Sequence, residues 1–228
     1  MPGAREIILF GITGGVACVI CYLMHQKLQK TEKKEDQKET NKAQTALKPP
    51  IIKEPKPSGT QVLVLGLDGA GKSSLLHCFA TGSLEQDVSP TQGFNAVSIN
   101  REALQIEFLE IGGGEKLRDY WGMYLCKARV LVFVMDSSDP ERFPLAKQYL
   151  QKLLDAEPSL PLVLLANKQD LPGAFGITEL YEALDLGNVG DGHRLSVMGT
   201  QVKRGKSERN TGVQDARELI LEMMTMQN

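Results

Sequence analysis

Apolar residues along this chain keep two rhythms. Val62 to Leu65, Val130 to Val134 and Leu160 to Ala166 are short, nearly continuous apolar runs. Runs of that kind suit strands covered on both faces. Phe94 to Ile99 alternates, and Leu104 to Ile111 carries apolar residues at Leu104, Ile106, Phe108, Leu109 and Ile111. Between these segments the spacing turns helical. Ser74 to Ala80 follows the first run; Phe143, Ala146, Leu150, Leu153 and Leu154 form one stripe. Ile177, Leu180, Tyr181 and Leu184 form another, and Val213, Ala216, Leu219, Ile220 and Met223 a last one. The alternation predicts a doubly wound α/β fold with a mostly parallel sheet. Ligands then bind at the carboxyl ends of the strands.

The first quarter of the chain has a different character. Ile7 to Met24 is an 18-residue run without a charged side chain. As a helix it measures about 27 Å, close to the roughly 30 Å of a hydrocarbon core. A single Arg5 precedes it, while Lys27, Lys30, Lys33 and Lys34 follow. That excess places the following chain in the cytosol if the run spans a membrane. A cleaved signal peptide is the rival, but no Ala-x-Ala site follows the run; a buried or interfacial helix is a third reading. Cys18 and Cys21 near its end are candidates for acylation, and Pro2 at the second position does not support N-myristoylation. His25 to Gly59 holds nine Lys, five Asp or Glu and four prolines, too little apolar surface to fold alone. The expected division is an anchor over 1–25, a charged Lys- and Pro-rich linker over 26–59, and a folded domain over 60–228. The linker's lysines also suit contact with anionic lipid.

The folded domain opens on its most informative stretch. The run at Val62–Leu65 passes into Gly66-Leu-Asp68-Gly69-Ala70-Gly71-Lys72-Ser73-Ser74, which satisfies the phosphate-loop pattern Gly-x-x-x-x-Gly-Lys-Ser. Glycines let backbone N–H groups converge on phosphate oxygens, and the helix start adds partial positive charge there. Lys72 reaches the outer phosphates, and Ser73 offers a hydroxyl to magnesium. An incidental Gly-rich turn explains neither the strand before nor the helix after.

Asn167-Lys168-Gln169-Asp170 directly follows the apolar run ending at Ala166. A carboxylate at Asp170 can accept from both N1–H and the 2-amino group of guanine. Adenine lacks that donor pair and would leave the carboxylate unpaired, an expensive mismatch. Composition narrows the remaining classes. A net charge of −2 argues against nucleic acid as partner. The four cysteines, Cys18, Cys21, Cys78 and Cys126, form neither a paired zinc spacing nor a disulfide framework.

These motifs together carry a resemblance. From Thr60 to about Asp185 the chain resembles the ADP-ribosylation-factor-like small GTPases. The match rests on Gly-Leu-Asp-Gly-Ala-Gly-Lys-Ser (66–73), Pro90-Thr91-x-Gly93-Phe94-Asn95, Gly112-Gly113, Trp121, Val-Met-Asp-Ser (134–137) and Asn-Lys-Gln-Asp (167–170). The resemblance implies GTP or GDP with Mg2+ as cofactors and effector proteins at a switch surface. It implies that Thr91 joins Ser73 on magnesium and that Gly113 offers its N–H to the γ-phosphate. The strands Phe94–Ile99 and Leu104–Ile111 then shift register between states. The apolar N-terminus is unlike the family's usual myristoylated amphipathic helix and looks like a membrane-anchored branch.

Several positions depart from the family's pattern. The second switch reads Glu110-Ile111-Gly112-Gly113-Gly114, where the family has Asp-x-Gly-Gly-Gln. Gly114 has no side chain to orient the attacking water, and Glu110 has one methylene more than the aspartate that steadies magnesium. Gln92 replaces an apolar residue. The base-closing segment Met198-Gly199-Thr200-Gln201 is a poor match to Ser/Cys-Ala-Thr/Lys, and Val202 to Gly212 reads as a mobile basic loop. Hydrolysis already runs on the order of 10⁻⁴ per second in this class without help; a slower rate still is expected here. Three functions compete: a GTP-dependent switch at a membrane, a pseudo-GTPase scaffold, and a P-loop phosphotransferase, which would leave Asn-Lys-Gln-Asp unexplained. Trp121 is read equally as core packing or as an exposed effector anchor.

Overall fold

The structure is a computed structural model; it describes residues 60–84, 89, 91–101, 103–189, 194–203 and 212–226. The apolar run at 7–24, the linker over 26–59, Pro90, His193 and most of the basic loop after Val202 lie outside the described residues. Among the described residues, no helix is long and apolar enough to cross a membrane.

In chain order the elements are β1 (Gln61–Leu65), α1 (Lys72–Thr81), β2 (Phe94–Arg101), β3 (Leu104–Ile111), two single-turn helices α2 (Glu115–Arg118) and α3 (Gly122–Leu125), β4 (Ala128–Asp136), α4 (Phe143–Ala156), β5 (Leu162–Asn167), α5 (Ile177–Ala183), β6 (Leu195–Gly199) and α6 (Val213–Thr225). One six-stranded sheet runs in the order β2-β3-β1-β4-β5-β6. All its pairings are parallel except β2 with β3, which are antiparallel from Phe94 opposite Ile111 to Arg101 opposite Leu104. The expected mostly parallel α/β sheet is therefore present, with one antiparallel edge.

The continuous apolar runs are explained by burial on both faces. Along β1, Val62 and Val64 enter one core, with Leu75, Leu76 and Phe79 of α1 and Ile220 and Met224 of α6. Leu63 and Leu65 enter the other, with Leu150 and Leu153 of α4 and Leu180 of α5. Helices thus cover both faces, and β1 sits at the centre where a strand has no polar side. Edge strand β2 alternates instead, because only one of its faces meets the core.

β6 was not among the expected strands. Its five residues are all only half-buried, so its apolar signal is diluted by Ser196 and Gly199. The segment expected to close over the base is consequently split: Met198 and Gly199 are the end of a strand, and the chain leaves the sheet only at Thr200.

Candidate functional site

The parallel strands point their carboxyl ends to one edge, and the loops that leave β1, β3, β4, β5 and β6 gather there. The loop after β1 takes a path that side chains could not follow. Gly66 has φ +141°, and a Cβ on it would stand 2.1 Å from the carbonyl oxygen of Val134. Gly71 has φ +93°, and a Cβ there would lie 2.3 Å from Asn167 Nδ2. No side chain caps α1 at Gly71, so its first-turn N–H groups are open to an anion. Ala70 is buried between them, and Ser73 and Ser74 lie in the first turn of α1, with Ser74 half-buried.

Lys72 is buried at the mouth of this loop, where its ammonium donates to the carbonyls of Gly66 (2.9 Å) and Leu67 (3.0 Å). Burial pushes its pKa down to about 8, and the carboxylates of Glu110 and Asp68 only partly offset that. A phosphate beside the ammonium would supply the missing counter-charge.

Three oxygens converge next to it. Ser73 Oγ lies 2.8 Å from Thr91 Oγ1, and both hydroxyls donate to Glu110 Oε1, at 2.6 Å and 3.0 Å. Ser73 and Thr91 were expected to meet, and they do. Hydroxyl and carboxylate oxygens are the donors a hard divalent cation takes, so the residues present fit magnesium.

The second-switch stretch leaves β3 at Ile111. Gly112 N–H donates to the carbonyl of Gly93 at 2.8 Å, which ties it to the stretch carrying Thr91. Gly113 lies directly across the phosphate loop: a Cβ there would come within 2.2 Å of the Asp68 backbone nitrogen. Gly114 is different, since a Cβ on it would meet nothing within 4 Å.

The base end is coupled to the phosphate end through one side chain. Buried Asn167 donates from Nδ2 to the carbonyl of Ala70 at 2.8 Å and accepts from Thr200 Oγ1 at 3.1 Å. Lys168, at φ 66°, sends its ammonium to Asp136 Oδ2 at 2.6 Å. Partial burial pushes Asp136 up, but hydrogen bonds from Lys168 and Ser138 outweigh it and hold the carboxyl below its ordinary value. The carboxylate of Asp170 is half-buried, 3.7 Å from Lys203 Nζ. Gln169 N–H donates to the carbonyl of Thr200 at 3.2 Å, so the end of β6 braces this loop.

Sequence reasoning quoted Asp136 and Thr200 only within motifs and missed Arg118 and Arg142. Arg118 Nε donates to the Gly113 carbonyl at 2.8 Å, and Arg142 reaches Asp68 Oδ1 at 2.5 Å. Partial burial raises the Asp68 carboxyl, but the Arg142 hydrogen bond and charge, helped by Arg118, hold it below its usual value. No local pattern points to contacts between residues so far apart in the chain. Trp121 resolves to the core reading: it is 1% exposed, meets Phe133 and Tyr149 edge-on, and donates from Nε1 to the Gly112 carbonyl at 3.2 Å. It sits in the turn between α2 and α3 rather than on a helix, and its free surface is too small to anchor an effector.

Residues 52–223 match the model of the ADP-ribosylation factor family. The chain belongs to that family. It is 50% identical over 169 residues to ADP-ribosylation factor-like protein 9 of Homo sapiens, covering 74% of this chain and 90% of that protein. It is 48% identical over 126 residues to ADP-ribosylation factor-like protein 10 of Mus musculus, covering 55% and 52%. Among solved structures it is similar to the Arl6 BBS3 small GTPase from Trypanosoma brucei with bound nucleotide analogue GppNp. There the identity is 27% and the TM-score 0.63, over 74% of this chain and 98% of that one. The mammalian SRP receptor, at 19% identity and TM-score 0.60, shares the fold. This Arf-like small GTPase thus belongs to a family of GTP-binding switches whose cofactors are GTP or GDP with Mg2+.

Proposed function

We propose that this protein is a membrane-associated guanine-nucleotide switch whose own hydrolysis is impaired. The observation that carries the reading is the contrast within one pocket: the binding apparatus is closed and braced, while Gly114 presents an empty place where a water-orienting side chain belongs. In this reading the amides of Asp68, Gly69, Ala70 and Gly71, with Lys72 and Ser74, hold the phosphates. Ser73 and Thr91 take magnesium, Gly113 N–H meets the γ-phosphate, and Asn167, Lys168 and Asp170 hold guanine. When bound, the magnesium neutralises charge on the phosphates. Arg142 and Arg118 hold the Asp68 carboxylate by hydrogen bonds and charge.

With no side chain at Gly114, an incoming water is held by backbone alone, and removal of its proton is unassisted. The GTP state is therefore long-lived until a partner contributes the missing group. The decisive measurement is single-turnover hydrolysis by GTP-loaded protein. Rates at or below about 10⁻⁴ per second fit the reading, and rapid unaided turnover refutes it. Titration with labelled GTP and ATP, with and without magnesium, tests base choice at the same time.

The membrane part of the proposal rests on the uncharged run Ile7–Met24 and the lysines after it. It places the folded domain on the cytosolic side, with effectors at the surface of residues 91–114 and no nucleic-acid partner. Full-length protein should resist carbonate extraction, and a variant lacking residues 1–25 should not. A second reading, a nucleotide-independent scaffold, draws on Lys203, whose ammonium competes with guanine for Asp170. An unchanged melting temperature on adding GDP or GTP would favour it.

A further inference from the structure

We infer that Trp121 is a positioning residue for the γ-phosphate contact: its indole N–H sets the Gly112–Gly113 peptide so that the Gly113 N–H is presented to the nucleotide. The inference rests on the nucleotide-binding reading above and deepens it. Three successive peptides of the second switch are each fastened at one end. Gly112 N–H donates to the Gly93 carbonyl at 2.8 Å, Trp121 Nε1 donates to the Gly112 carbonyl at 3.2 Å, and Arg118 Nε donates to the Gly113 carbonyl at 2.8 Å. Among the described residues, the Gly113 N–H makes no hydrogen bond. It shares a peptide plane with the carbonyl that Trp121 holds. No peptide among the described residues is cis, and a trans peptide sets its carbonyl and its N–H on opposite sides. The indole thus turns the Gly113 N–H away from itself, on a residue that lies against the phosphate loop. A bare N–H beside that loop is a donor left for a ligand.

The holder is itself held. Trp121 is buried, with ring centres 6.2 Å from Phe133 and 5.5 Å from Tyr149. The same Tyr149 ring backs Arg118, whose guanidinium carbon lies 5.4 Å from its centre. Both side-chain donors that grip the glycine stretch are therefore propped on one tyrosine of α4. The stretch has no slack on its other side: a Cβ at Gly112 would stand 2.6 Å from Leu117 Cδ1 and 2.6 Å from the Thr91 carbonyl oxygen. An amide already aimed loses no freedom when its acceptor arrives, and that gain appears as affinity. Trp121 acts through Gly113, and so only on a nucleotide that carries a γ-phosphate.

The test is a comparison of two affinities of the full-length protein in magnesium: for GppNp, which carries a γ-phosphate, and for GDP, which does not. Trp121→Phe keeps an aromatic ring and removes the donor. Its GppNp affinity is expected to fall about tenfold, the upper end of a single hydrogen bond's net contribution, while GDP affinity stays within about twofold. A tryptophan that only packs moves both affinities together. A GppNp-to-GDP affinity ratio that falls by less than about twofold, the lower end of that contribution, or that rises, overturns the inference. Should Trp121→Phe not fold, replacement of Trp121 by 3-benzothienylalanine, which keeps the indole's shape and puts sulfur in place of N–H, is judged by the same ratio. Tight GDP binding with an unchanged ratio leaves the nucleotide reading standing. Wild-type protein that binds neither nucleotide defeats both.

Discussion

Two glycines of the same pocket obey opposite rules. At Gly71 a methyl would press against Asn167 Nδ2 at 2.3 Å, and the backbone already sits at φ +93°. At Gly114 the same methyl would meet nothing within 4 Å, and φ is −64°. The first glycine is demanded by the tertiary structure. The second is tolerated by it and leaves space for almost any residue. The phosphate loop is thus locally over-determined, whereas the surroundings of position 114 are open.

The contrast is broken most severely at the closed end. Gly66→Ala places a Cβ 2.1 Å from the Val134 carbonyl in the centre of the sheet edge. The expected cost exceeds about 4 kcal/mol, the tail of single-substitution effects. That corresponds to a fall in melting temperature of about 10 °C, seen by thermal unfolding; a shift under two degrees would mean the loop yields. Gly71→Ala should fold with a smaller loss yet no longer gain thermal stability from GDP. It pushes Asn167 off Ala70 and so parts the base loop from the phosphate loop.

At the open end the sign reverses. Gly114→Gln should leave the melting temperature within about 1 °C, because the added side chain strains nothing. Its single-turnover hydrolysis should rise about 100-fold or more, the lower end of what assisted proton transfer contributes. An unchanged rate would show that the defect lies elsewhere, Glu110 being the next place to look.

Proton coupling gives a smaller effect. Lys72 has a pKa of about 8 in the folded protein without nucleotide, against about 10.4 unfolded. Between those values the unfolded chain keeps a proton the folded one lacks. The penalty for burying the ammonium is therefore full below about pH 8 and relieved as pH rises toward about 10. Phosphates restore the charge, so GDP binding should take up about one proton above pH 8 and none near pH 6.5. Affinity should weaken by at most tenfold per unit across that window. Calorimetry in buffers of different ionisation enthalpy reads the uptake directly, and none at pH 9 would mean Lys72 does not meet the phosphates. The smallest effect is expected at the junction of the two halves. Trp121→Phe removes the bond to the Gly112 carbonyl and should cost about 1 kcal/mol with little change in GDP affinity.

Much of the site was written locally. Gly66 to Ser74 and Asn167 to Asp170 are contiguous, and each encodes a loop that follows a buried strand. Strand and helix alternation carried the fold for the same reason: periodicity is a property of neighbours in the chain. β6 escaped because a half-buried strand of five residues has little periodic signal. Trp121 could be read two ways because a buried and an exposed tryptophan look alike in sequence; only the packing of Phe133 and Tyr149 around it decides.

The chain by itself determined the chemistry of the cradle, since backbone amides, a lysine and the carboxylate of Asp170 come in unbroken segments. It also determined that position 114 offers no side chain, because that is a matter of residue type. Tertiary structure alone decided what distant residues do to one another: that Asn167 latches Ala70, that Arg142 holds Asp68, and that Glu110 closes a triangle with Ser73 and Thr91. Those contacts span residues 19 to 97 positions apart. Side chains so far separated meet only after the sheet has set the order and register of its strands.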